Sequence, residues 1–122
     1  MPAKTKLAQG FAHEEGFGLP GKIPTLRNNP GDLRHSPHSQ HPGGPAHAND
    51  IGTIDTVADG WDDLERQLAM YGSRGMTLQQ AVYEYAPPAD KNNSAAYLNF
   101  ICGWMVMGPG MLVSEALKVP AV

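Results

Sequence analysis

Cysteine is nearly absent from this chain. The single Cys102 excludes an internal disulfide and fits folding in a reducing compartment. Charge is sparse as well, at 17% of residues, and its balance of −3 gives no support for a nucleic-acid or anionic-membrane partner. No apolar run approaches the roughly 18 residues that a membrane span requires, so no membrane insertion is expected. The first ten residues, MPAKTKLAQG, hold two lysines but no apolar stretch, so no secretory leader is expected either. Internal repeats and low-complexity tails are also missing. Glycine and proline, by contrast, are plentiful: 14 and 11 of 122 residues. Much of the chain must therefore be turn and loop. At this length the sequence predicts one domain, 1–122, able to bury a core and to act as a monomer.

The apolar spacing predicts a mainly α (α+β) fold of about five helices, one long loop and a small β element. The first helix spans 4–15 and is stopped by Gly16, Gly18 and Pro20. Residues 16–50 read as a long loop, and loops of that length inside a compact domain are uncommon and usually functional. IGTIDT, residues 51–56, alternates like a short strand or hairpin arm. Asp59 is expected to cap a helix over 60–72, with Trp61, Leu64 and Leu68 on one face. Thr77 and Gln80 form a capping-box pattern for a helix over 78–85, ended by APP at 86–88. Asn93 or Ser94 caps AAYLNFICGWMVM, 95–107, apolar on most sides and expected to be the central buried helix. Pro109 is expected to open a last helix to 118.

Two glutamates stand side by side where the first helix ends. On a wheel of 100° per residue with Leu7 at zero, Phe11 falls at about 40°, Ala8 at about 100° and Ala12 at about 140°. The apolar stripe is centred near 70°, and Glu15, at about 80°, lies in its middle. Glu14, at about 340°, lies off it. One carboxyl is thus aimed at the interior and its neighbour at water. Burial makes ionisation costly and raises the pKa of an acid. A protonated glutamate opposite a more solvated carboxylate is the arrangement that glycoside hydrolysis uses.

Four blocks, AHEEGFG, IPTLRNNPGDLR, GTIDTVADGWDDLERQL and TLQQAVYEYAPPADKNNSAAYL, together resemble bacterial and phage-associated peptidoglycan-cleaving domains of the lysozyme-like superfamily. Those domains are related in fold to goose-type lysozymes and lytic transglycosylases, and the likeness covers roughly residues 5–105. It implies an α-rich fold with a helix-end glutamate as catalytic acid, which by position in EGF is Glu15. The resemblance implicates Asn28, Asn29 and Arg34 in lining the sugar site, and Tyr85, Asn92 and Tyr97 in bordering the cleft. It implies peptidoglycan glycan strands as the partner and no cofactor.

The chain also departs from that pattern. Asp32 stands where asparagine is expected, so the resemblance gives it no part as an obligatory second carboxylate. Ile54 replaces an expected aromatic residue, and Lys91 reads as an insertion that leaves Asn92 and Asn93 as alternatives for one position. For the second carboxylate, Asp55 on the β element ranks ahead of the loop residues Asp32 and Asp50, with Thr56 a candidate to position water.

The histidines His35, His38, His41 and His47 suggest imidazole ligation of a metal. The intervening prolines and glycines instead favour an extended loop over the cleft without fixed geometry, so no metal site is assigned. Trp61 and Trp104 are expected in the core, Cys102 as a buried inert thiol, and Met105, Met107 and Met111 as filler or a partner-facing patch.

The resemblance implies a muramidase acting on the β-1,4 bond between N-acetylmuramic acid and N-acetylglucosamine. A lytic transglycosylase on the same bond is the nearest alternative, and a non-catalytic peptidoglycan-binding or structural domain the next. A chitin-like polymer as substrate is a further one. The substrate lies outside the cytoplasmic membrane while no export signal is read. Location therefore stays open between a phage or prophage product, another export route and a domain of a longer protein.

Overall fold

The computed structural model describes residues 3–41 and 50–122. Among these residues it contains six α-helices: α1 Lys6–Glu15, α2 Ile23–Leu26, α3 Val57–Ser73, α4 Leu78–Tyr85, α5 Ser94–Met105 and α6 Val113–Ala116, with one 3₁₀ turn at Pro88–Asp90. The fold is mainly α, as the apolar spacing predicts. No described helix is long and apolar enough to cross a membrane.

Helix α1 begins at Thr5, whose hydroxyl accepts the Ala8 N–H at 3.1 Å and donates to Glu65 of α3 at 2.7 Å. It ends because Gly16 turns left-handed, φ 88°, while the Gly16 and Phe17 amides bond back to His13 and Ala12 at 3.0 Å each. The buried face is Leu7, Ala8, Phe11 and Ala12, the stripe of the wheel. Helix α1 packs on α5 and α3, α4 on α5, and α3 on α6. Between them lie Leu64, Leu68, Leu78, Val82, Ile101 and Val113, all fully buried.

Several expectations are corrected. The cap of α3 is Thr56, not Asp59: the Asp59 amide donates to the Thr56 hydroxyl at 3.1 Å, placing Asp59 inside the first turn. Helix α4 carries the Thr77–Gln80 capping box, as read. Helix α5 is capped by Asn93, yet it buries one face only; Ala95, Asn99 and Gly103 are exposed. Its apolar composition reflects aromatic residues at the domain edge, where Trp104 lies half-buried beside Phe100 and His13 and donates to the Lys6 carbonyl at 2.7 Å. Trp61 does lie in the core. Cys102 is half-buried, and burial pushes its thiol up. Pro109 opens no helix: α6 is a single turn starting at Val113.

The long loop is not structureless. It contains α2, and its extended return passes through IGTIDT, where the expected strand reduces to one antiparallel bridge between Gln40 and Thr53. Ile54 is buried, its amide bonded to the Arg27 carbonyl at 2.9 Å. The described histidine-bearing stretch, 35–41, is likewise tied to the helices. Asp63, buried on α3, accepts from the Ser36 hydroxyl at 2.6 Å and the His38 amide at 3.0 Å, and pairs with His38 Nδ1 at 2.7 Å. That hydrogen bond and the Asp63 charge raise the pKa of His38. Around Ser36 and His38 the expectation of a loop without fixed geometry is corrected, because one buried carboxylate organises that stretch. His47 lies outside the described residues.

Helix α3 and the loop meet at Gly60, where a methyl group would run into the Asn28 carbonyl and sit 2.8 Å from Pro30 Cδ. Gly60→Ala is expected to cost about 2 kcal/mol by overpacking, read as a lowered denaturation midpoint at an unchanged urea m-value.

Candidate active site

Helix α1 and its glycine stop deliver Glu15 to the edge of the core, and three aromatic rings make the floor beneath it. Phe11 lies 4.9 Å from Tyr85 and 5.5 Å from Tyr97, centroid to centroid. The Tyr97 hydroxyl donates to Glu15 Oε2 at 2.7 Å. Glu15 is half-buried, whereas Glu14 is exposed. Burial is the main cause that pushes the Glu15 carboxyl up to about 7; the Tyr97 hydrogen bond pulls it down, and the charge and hydrogen bond of Asp32 push it up. Burial thus keeps a large share of this glutamate protonated near neutral pH, where an ordinary glutamate is ionised.

Asp32 is the second carboxyl of the site. It projects from NNPGD, a turn held from several sides. Asn29 is fully buried; its amide donates to the Leu33 and Gly52 carbonyls at 2.8 Å each, and its oxygen accepts the Leu33 amide at 3.0 Å. Asn28 donates to the Ile54 and Asp55 carbonyls at 3.0 and 3.2 Å. The Tyr85 hydroxyl donates to the Gly31 carbonyl. Asn28 and Asp32 are both left-handed, φ 52° and 53°, a conformation that short polar side chains tolerate better than most. Burial raises the Asp32 pKa, while its hydrogen bond with Glu15 and the charges of Arg27 and Arg34 lower it.

Glu15 and Asp32 open onto a cleft of about 440 Å³. Its other walls include Arg34 and His35 from the loop, Gln67 and Tyr71 from α3, Glu84 and Tyr85 from α4, and Asp90 and Asn92 beyond it. A floor of phenol rings, a neutral acid and a rim of hydrogen-bonding groups suit a polar, uncharged polymer rather than an apolar ligand. Among the described residues no group of three or more His, Cys, Asp or Glu side chains is placed to hold a metal.

Of the residues singled out in the sequence, Glu15, Arg34, Tyr85 and Asn92 line this cleft. Tyr97 acts from beneath, through Glu15. Asn28 and Asn29 are corrected: their amides are consumed by backbone carbonyls, so they build the turn and are not free for a sugar. Asp55 is corrected too. It is exposed, accepts weakly from Gln40 at 3.3 Å and is not among the cleft residues. The Thr56 hydroxyl is occupied as the cap of α3. The sequence ranks Asp32 behind Asp55 for the second carboxylate, whereas of the two only Asp32 lines the cleft. Sequence reasoning missed Gln67 and Tyr71, whose spacing of four on one helix was an available signal.

Set against protein-family models, curated proteins and solved structures, the chain matches none.

A carboxyl whose pKa is raised on folding stabilises the native state less as pH climbs. The protonated forms of native and unfolded chain are equivalent below the unfolded value of 4.5, and the native state loses stability from there up to about 7. Glu15→Gln, neutral at every pH, is expected to match wild type near pH 4. Near pH 8 it should be more stable by about 3 kcal/mol. Urea denaturation at the two pH values checks this; an equal difference at both would contradict the buried-acid account.

Proposed function

We propose that this chain cleaves the β-1,4 bond between N-acetylmuramic acid and N-acetylglucosamine in peptidoglycan, with Glu15 as general acid. The observation that carries the reading is the Glu15 carboxyl itself: pushed up to about 7 and opening on a cleft large enough for sugar rings. An acid with a pKa near the working pH combines a populated protonated form with a strong drive to give the proton away. As the bond from the anomeric carbon to the bridging oxygen breaks, its electrons leave with that oxygen, and the Glu15 proton neutralises it. Tyr97 keeps Glu15 in place and stabilises the carboxylate that remains. On this reading Arg34, Gln67 and Tyr71, with the Asn92 side chain that also donates to the Pro87 carbonyl, are the lining groups that would hold the glycan.

The spacing of the carboxyls favours a second version of the same chemistry. Enzymes that use an acid and a separate nucleophile or base on opposite sides of the sugar hold them about 5 to 9.5 Å apart. Glu15 and Asp32 lie side by side on one cleft and act on each other's ionisation, an arrangement unlike two carboxyls that flank a ring. The incoming hydroxyl then loses its proton to Glu15 on the face that the leaving group has vacated. Where that hydroxyl is the muramic acid's own 6-OH, the product is an anhydro sugar, and the enzyme is a lytic transglycosylase rather than a hydrolase.

Purified cell walls are expected to lose turbidity with wild type. Glu15→Gln, once its circular dichroism matches wild type, should lower the rate by at least about a hundredfold. Equal clearing by both proteins would remove Glu15 from the chemistry. Clearing by neither, with the walls still bound, would make the domain a binding module. Mass spectrometry of the released sugars separates the two enzymatic versions, since the anhydro product is lighter by one water.

A further inference from the structure

The Asp32 carboxyl is unexplained by a single-acid mechanism, and its placement is too constrained for a surface aspartate. Its Oδ1 is buried and has no hydrogen-bond donor among the described residues. A buried acceptor without a donor is costly and calls for a specific explanation. Its backbone is held in the left-handed region at φ 53°. The turn that carries it is anchored by buried Asn29 and by the Tyr85 bond to Gly31. The Asp32 carboxyl has one neighbour that becomes a donor by gaining a proton: Glu15. Tyr97 donates to Glu15 Oε2, which leaves Oε1 to carry that proton.

We propose that Asp32 is the positioning partner of Glu15: the two carboxyls share a single proton across a hydrogen bond, and the Asp32 charge keeps it on Glu15 until the leaving group takes it. The inference rests on Glu15 being the general acid. In the cycle, the proton goes from Glu15 to the bridging oxygen as the old bond breaks. Glu15 then takes a proton from the incoming hydroxyl as the new bond to the anomeric carbon forms. The pair holds one proton before and after the cycle, so charge and protons balance with no other reactant. A pair of this kind titrates as a unit, because two carboxylates in contact resist ionising together.

The groups around the pair are few. Tyr97 of α5 and Tyr85 of α4 face Glu15, and Glu14, beside His13, adjoins it on α1. Arg27 and Arg34 act on Asp32. His35, Glu84 and Asp90 line the same cleft. Removing the Asp32 charge takes away both of its upward effects on Glu15 and leaves the downward pull of Tyr97 intact.

The test is Asp32→Asn, a substitution that suits the left-handed backbone. It is followed by carbon NMR of the Glu15 carboxyl across pH and by the pH–rate profile of cell-wall cleavage. The Glu15 midpoint is expected to fall by at least about one unit. The alkaline limb of the profile should move down with it, lowering the rate about tenfold above neutrality while the acid-side rate holds. An unmoved midpoint in a folded variant overturns the inference. If the variant fails to fold, wild type decides: Glu15 and Asp32 carbons showing the same two titration steps support proton sharing, and independent single steps overturn it. Absence of wall cleavage by wild type would sink the glycosidase reading alone, because the NMR midpoints test the shared proton without it.

Discussion

Keeping a carboxylic acid protonated in neutral water requires taking it out of water without stranding it, and much of this structure is arranged around that constraint at Glu15. The helix must stop one residue later, or the carboxyl would be carried past the edge of the core. Gly16 stops it by turning left-handed. The surface beneath the carboxyl must be apolar enough to penalise charge, and Phe11, Tyr85 and Tyr97 supply it. It must also hold the group in one orientation, which the Tyr97 hydroxyl does at 2.7 Å. Because Tyr97 sits on α5, the packing of α1 on α5 is at once core formation and site formation. Burial also raises Tyr85 and Tyr97 far from ionisation, so both remain donors at any pH at which Glu15 titrates.

The same economy explains how the described parts of a loop rich in glycine and proline are held against the helices. Hydrophobic contact is scarce there, and buried polar side chains take its place. Asn29 closes three hydrogen bonds to the backbone, and Asp63 gathers Ser36 and His38 onto α3. Such groups are stabilising only when every partner is present. Gly60 lets the first turn of α3 approach the Asn28 carbonyl, so one missing methyl decides whether the turn carrying Asp32 can dock. A glycine inside a helix is otherwise a weakness.

How much of this was legible in the sequence follows from the range of the interactions involved. Helix α1, its stop and the inward aim of Glu15 depend on neighbours within about four residues, and periodicity reads those directly. The Thr77–Gln80 capping box is local in the same way. The Thr56 cap was local too, but the acidic Asp59 three residues later competed for the role, and one residue type suited either position. Asp32 against Asp55 could not be separated locally. Each is a polar residue beside a turn, and what distinguishes them is a contact with Glu15 seventeen positions away. Asn28 and Asn29 show the opposite error. Their amides look available in the sequence because the carbonyls that occupy them belong to residues 33, 52, 54 and 55. The apolar run of α5 misled for another reason: aromatic side chains at a domain edge are apolar without being central.

The charge on the cleft walls bears on how a glycan would be held. Glu15, Asp32, Glu84 and Asp90 face Arg34 and His35, an acidic balance that would repel an anionic ligand. Neutral sugars are not subject to that repulsion. Their hydroxyls are donors that carboxylates accept through charge-assisted hydrogen bonds, so acidic walls can hold a sugar ring and still bias Glu15 toward its protonated form. A cleft lined with cations would bind anionic wall polymers more tightly and pull the Glu15 pKa down, removing the proton that the proposed reaction needs. On the proposed reading, the same negative charge that weakens attraction to an anionic wall keeps the acid loaded, and an acid kept loaded is the scarcer requirement.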